Sequence, residues 1–170
     1  VTHTRTLRRH GVALLIAAAL VVAGVVVGAA AAPPTGLVLI VEDAETGEHY
    51  VTHPVDDGST VALEYMHSVE KSRVYDEYRV DGESLVNTRM EFESYGWGLP
   101  SGANVTNRNG TLVYEPDEPI TELETLLVSP GRIAGHTLIV DGRQYDLVSE
   151  TDARDVRIHV ERRTLADVFG

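Results

Sequence analysis

In the stretch EYMHSVEKSRVYDEYRV, residues 64–80, His67 and Ser68 each stand nine residues ahead of an acid, Asp76 and Glu77, with Lys71 and Arg73 between. A hydroxyl, an imidazole and a carboxylate are the parts of a nucleophile, base and orienting group in hydrolysis. Whether they can converge depends on the backbone. Val61, Leu63 and Tyr65 alternate with Ala62, Glu64 and Met66, the period of a half-buried strand. Continued, that alternation turns His67 to the buried face and Ser68 to the other. Neighbours on one strand then diverge from any common substrate. The loop Val69-Glu70-Lys71-Ser72 can bring Asp76 or Glu77 back across a hairpin to His67, orienting the ring as a structural fastener. No catalytic residue is assigned. A small hydrolase using His67 with Asp76 or Glu77 is the alternative.

Metal chemistry needs several converging ligands. His49, His53, His67, His136 and His159 form no HExxH pattern, and Asp56-Asp57-Gly58 is too short for an EF-hand loop. No metal or cofactor is expected. A second constellation is Ser94-Tyr95-Gly96-Trp97-Gly98-Leu99-Pro100, which holds the only tryptophan. Gly96 and Gly98 permit a tight bend or a close approach, so Tyr95 and Trp97 either plug one end of the fold or offer an aromatic wall. The candidate ligand- or partner-binding set is therefore His67, Ser68, Lys71, Arg73, Asp76, Glu77, Tyr95, Gly96, Trp97 and Gly98. Asn104-Val105-Thr106 and Asn109-Gly110-Thr111 are glycosylation candidates at Asn104 and Asn109.

The elements that must position these residues read as strands. Leu37–Val41 is a continuous apolar run, Tyr50-Val51-Thr52 follows a turn, and Val156, Ile158 and Val160 alternate with Arg157, His159 and Glu161. Val86, Thr88, Met90 and Phe92 are expected inward, with Arg89, Glu91 and Glu93 outward. Asp81-Gly82, Asn109-Gly110 and Asp141-Gly142 separate such runs, and each favours a type I′ hairpin. Thr121-Glu122-Leu123-Glu124 reads as a helix start or as the beginning of a strand. The expected fold is all-β: a single antiparallel β-sandwich or partly open barrel over residues 37–170, after a linker at 33–36.

Ahead of the linker, Arg5, Arg8 and Arg9 precede an uncharged run from Gly11 to Ala32. At about 1.5 Å per helical residue this run reaches about 33 Å, enough to cross a hydrocarbon core of about 30 Å. Residues 11–32 are expected to form a transmembrane anchor, with a cleaved signal peptide ending near Ala30-Ala31-Ala32 as the alternative. The basic segment 1–10 would stay cytoplasmic and the β domain extracellular. The chain carries 14 basic and 26 acidic residues. Only Arg5, Arg8 and Arg9 precede residue 33, so 11 basic against 26 acidic residues give the remainder a net charge of −15. Lys71 is the only lysine. Such a surface needs counterions to stay compact and points to a halophile working in concentrated salt, with a merely acidic extracellular domain as the alternative. It also repels nucleic acid. With no cysteine, disulfides and thiolate sites are excluded, and the domain must be held by its own core.

The run His67-Ser68-Val69-Glu70-Lys71, then Arg73, an acidic pair and Tyr78, then Gly96-Trp97-Gly98-Leu99-Pro100, resembles a family of exported domains of unknown function. Genes of that family commonly lie beside TAXI-type TRAP transporters, which import small organic solutes with an extracytoplasmic binding protein. The resemblance spans about residues 60–100. Trp97 stands where the family pattern has a small residue, and Leu99-Pro100-Ser101 varies its ending. The resemblance supplies a genomic context and no established activity. With the expected anchor it leads to the expectation of a membrane-anchored, non-enzymatic ectodomain, an accessory or docking component whose partner is the transporter's membrane or solute-binding subunit. A stand-alone solute-binding or envelope domain is a further alternative.

Overall fold

The computed structural model describes residues 35–94 and 104–164. The expected anchor at 11–32 and the turn residues Tyr95, Gly96, Trp97 and Gly98 lie outside the described residues. Within them the chain is all-β. It forms β1 (Thr35–Asp43), β2 (His49–Val55), β3 (Thr60–Met66), β4 (Arg73–Asp81), β5 (Ser84–Phe92) and β6 (Val105–Arg108). There follow β7 (Thr111–Tyr114), β8 (Thr121–Leu123), β9 (Thr125–Val128), β10 (Thr137–Val140), β11 (Arg143–Asp146), a short helix α1 (Leu147–Thr151) and β12 (Val156–Thr164).

These strands make two antiparallel sheets. The smaller has the order β2-β1-β12-β9, and the larger runs β11-β10-β3-β4-β5-β7-β6 with β8 also paired to β5. Leu37, Leu39 and Val41 of β1 share one core with Val61 and Leu63 of β3, Val80 of β4, Leu138 and Val140 of β10, and Ile158 of β12. That cluster draws on both sheets, so the two layers pack face to face as in a sandwich. Val74, Phe92 and Leu112 form a second, smaller cluster under the far part of the larger sheet.

Turn chemistry fixes the hairpins. Asn109 and Gly110 have φ of 56° and 97°, and Asp141 and Gly142 have 47° and 84°, both pairs in the left-handed region that type I′ turns require. The β4–β5 hairpin differs from the expectation. Asp81 still pairs with Ser84, so the two turn residues are Gly82 and Glu83, with only Gly82 at positive φ. A bulge opposite Glu77/Tyr78 also breaks the alternation expected in β5. Met90 and Phe92 do pack in the second cluster, but Leu85 rather than Val86 joins the main core. Residues 121–123 are strand, and the chain bends at Glu124 as it crosses from the larger sheet (β8) to the smaller (β9). The helix α1 was not legible from periodicity, because five residues are shorter than any repeat; its start is set by Asp146, which accepts the N–H groups of Val148 and Ser149.

The register also defines two poles. Thr35 pairs with Thr164 and Leu37 with Val55 at the pole where the described chain begins. At the other pole Asp43 meets Val156, and Val156 meets Val128. The chain leaves β9 there and returns to β10 beside Glu64, near the end of β3.

Candidate functional site

The far pole is built from two adjoining turns. In one, β3 ends at Met66 and the chain folds back so that the His67 N–H donates to Ser72 O at 2.8 Å and the Lys71 N–H donates to His67 O at 3.0 Å. His67 is thus beyond the strand. Its ring closes the turn on itself, because Nδ1 accepts the N–H of Glu70 at 3.1 Å and of Val69 at 3.4 Å. Two amide protons aimed at Nδ1 put the ring's own proton on Nε2. In the other turn, the Gly135 N–H donates to Gly131 O at 2.9 Å, and the Gly131 N–H donates to Nδ1 of His136 at 3.2 Å. The Met66 N–H donates to Ala134 O at 2.8 Å and joins the two.

Between them lies an open groove of about 390 Å³, walled by Met66, His67, Ser68 and Lys71 on one side and residues 131–134 on the other. Its lining is mostly apolar, with a cation on each wall. Arg132 is held by Asp152, donating to Oδ1 at 2.5 Å. The Lys71 ammonium has no partner among the described residues. Of the expected set, the structure brings His67, Ser68 and Lys71 together here.

It does not bring the acids with them. Asp76 and Glu77 fall on opposite faces of β4, and the expected His67–carboxylate pair is not formed; backbone amides occupy Nδ1 instead. Glu77 accepts the hydroxyl of Tyr75 at 3.2 Å. Arg73 is committed on the same outer face, to Glu64 at 2.7 Å and Glu91 at 3.1 Å. Asp76 points into the sandwich and is 8% exposed. Its Oδ2 accepts a long hydrogen bond from Tyr65 at 3.4 Å, and its Oδ1 has no partner among the described residues. Burial pushes its pKa up to about 6, only partly offset by the Tyr65 hydroxyl. The Asp76 charge together with burial pushes Tyr78 up to about 12, burial being the larger cause. Without an acid on the ring, and with Ser68 exposed in a turn, this constellation is not a hydrolytic triad.

A polar hollow of about 330 Å³ beside Asp43 and Arg154 is internally satisfied. Asp43 accepts the N–H groups of Glu45 and Thr46, the Tyr50 hydroxyl and Arg154, and those bonds, Arg154's first, hold its carboxyl well below the usual range. Asn104 and Asn109 are exposed, Asn109 at a hairpin tip. The second wall of the groove escaped the sequence reading. Ser129-Pro130-Gly131 signals a turn, but nothing in residues 131–134 indicates which other turn it meets.

Fold and groove together define an all-β sandwich with an open, mostly apolar groove at one pole, edged by Lys71 and Arg132. Residues 61–147, just over half of the 170-residue chain, match the family described as Domain of unknown function (DUF1850), and the chain belongs to that family. The matched region contains every strand of the larger sheet apart from the first residue of β3, Thr60, and both groove turns, while β1, β2 and β12 lie outside it. No curated protein matches, and no solved structure matches.

Proposed function

We propose that the chain is a non-enzymatic accessory or docking component of a TRAP-type small-solute uptake system. Residues 11–32 hold it in the membrane, and the β domain works outside the cell in concentrated salt. The observation that carries this reading is the place of the groove. The described chain begins at Thr35, and β1 runs nine residues from there to Asp43 at the opposite pole. At about 3.3 Å per residue that is about 26 Å. The groove thus lies a strand's length from Thr35 at an open end of the β domain, which suits contact with a transporter's solute-binding subunit or the outer face of its membrane subunit. The neighbouring genes of the family that the His67–Lys71 motif resembles point to the same system.

Purification of the full chain from native membranes in high salt, followed by identification of what comes with it, tests the proposal. A TRAP membrane or solute-binding subunit is the expected companion. A preparation carrying neither, from cells that express the transporter, overturns it.

A further inference from the structure

Four large apolar side chains are exposed among the described residues, and three of them stand on the two groove turns: Met66 at 40%, Val69 at 74% and Ile133 at 88%. A small-molecule pocket encloses about 70–90% of its ligand. Here the apolar groups stand proud of the surface around an open groove, which suits contact with another surface. A cavity of about 390 Å³ has room for an aliphatic side chain between the walls.

The charges say what must flank that side chain. The domain carries a large negative excess, yet its sole lysine and Arg132 edge this groove. Lys71 sits at φ 54°, a left-handed conformation that glycine or asparagine adopts more readily. A lysine kept in such a backbone, with its ammonium unpartnered among the described residues, suits contact with something outside the domain. Arg132 is fixed by Asp152 through one nitrogen, leaving further N–H donors on the guanidinium. The His67 Nε2–H is a third donor, on the wall that carries Lys71.

We infer that the groove receives a protein segment in which an aliphatic side chain is flanked by carboxylates, presented by a partner approaching the pole opposite Thr35. The inference rests on the docking reading above and adds the partner's chemistry. An anionic lipid surface fits less well: Glu70 and Asp152 are exposed beside the two cations, and a broad sheet of negative charge would meet them and the acidic domain behind. A single segment meets only the groove.

The test uses the full chain in detergent and molar salt, with fluorescein-labelled peptides Asp-Glu-Leu-Glu-Asp and Lys-Lys-Leu-Lys-Lys as probes, read by anisotropy. A parallel arm measures sedimentation with phosphatidylglycerol vesicles. The acidic peptide is expected to bind about tenfold or more tightly than the basic one, and Lys71→Glu and Ile133→Ser are each expected to remove most of that binding. Circular dichroism and melting of both exposed-site variants should match the parent. Absence of peptide binding, equal binding of the basic peptide, insensitivity to both substitutions, or groove-dependent binding to vesicles overturns the inference. If a transporter subunit co-purifies equally with parent and Lys71→Glu chains, the uptake reading stands and the groove chemistry alone fails.

Discussion

The imidazole of His136 lies flat on the ring of Tyr65, their centroids 5.1 Å apart and their planes 11° from parallel. On one side His136 accepts the Gly131 N–H that shapes a groove wall; on the other, Tyr65 reaches toward the buried carboxyl of Asp76. The groove's geometry is thus tied to the interior of the sandwich through two stacked rings. His136→Ala removes both the stack and the amide's acceptor. Losing a partly buried acceptor costs about 1–3 kcal/mol. Chemical denaturation in molar salt should show that loss, and a midpoint equal to the parent's would remove His136 from the wall.

Asp76 predicts a pH dependence of definite sign. Its pKa is raised in the folded state, from 3.8 to about 6. The folded state therefore favours the protonated acid, and stability falls as pH rises from about 3.8 to about 6. The shift corresponds to about 3 kcal/mol as an upper figure. Asp76→Asn should stabilise the protein at pH 8 and lose that advantage near pH 3.5. Thermal melts at both values, compared with the parent, decide it; a variant less stable at pH 8 shows that the carboxylate is needed.

His136 acts in the opposite direction. Burial lowers its pKa below the ordinary 6.5, so the folded state favours the neutral ring. That contribution is present above about pH 6.5 and is lost as pH falls through the folded value. In the Asp76→Asn background, acidification below neutrality should therefore destabilise, and His136→Phe should blunt the fall. An unchanged slope in the double variant rules out His136 as its source.

His67 holds its turn through the backbone, as a side chain caps a helix. Capping interactions are worth about 0.5–2 kcal/mol. His67→Ala should lose about that much, while His67→Asn, which keeps a short acceptor, should recover part of it. Ser68→Ala should stay within about 0.5 kcal/mol, as for ordinary surface changes. Equal stability of all three variants and the parent would mean that the two amide contacts to Nδ1 contribute nothing.

The charge excess predicts a salt requirement. Unscreened carboxylates repel over about 10 Å at 0.1 M salt but only about 3 Å at 1 M. Melting temperatures should rise strongly between millimolar and molar salt. Identical midpoints at both ends would exclude the halophilic reading.

How much was legible follows from which forces were local. The Asn109-Gly110 and Asp141-Gly142 hairpins could be read because two adjacent residues determine them. The apolar run in β1 and the alternation in β3 and β12 could be read because burial imposes a period on one strand at a time. The His67–carboxylate pair was misread because the alternation of β3 stops at Met66 and the ring turns to its own backbone. The bulge opposite Tyr78 was invisible because it belongs to a pair of strands, and neither sequence carries it alone. The groove shared that obstacle: residues 66–71 and 131–134 are brought together by the pairing of β3 with β10 and by the Met66–Ala134 bond beyond it. His67, Ser68 and Lys71 could be picked out by type, but the wall they face could not.

The central place of β1 has a mechanical consequence. β1 is flanked by β12 along all nine residues and by β2 along most of its length, with Thr35 at one pole and Asp43 at the other. Interstrand hydrogen bonds lie perpendicular to the strands. Tension applied between Thr35 and the far pole therefore runs along β1 and shears the rungs on both sides together. A pull across an edge strand such as β9 would instead open its few rungs one by one, like a zip. The sandwich therefore resists a pull best along the line that joins Thr35 to the groove.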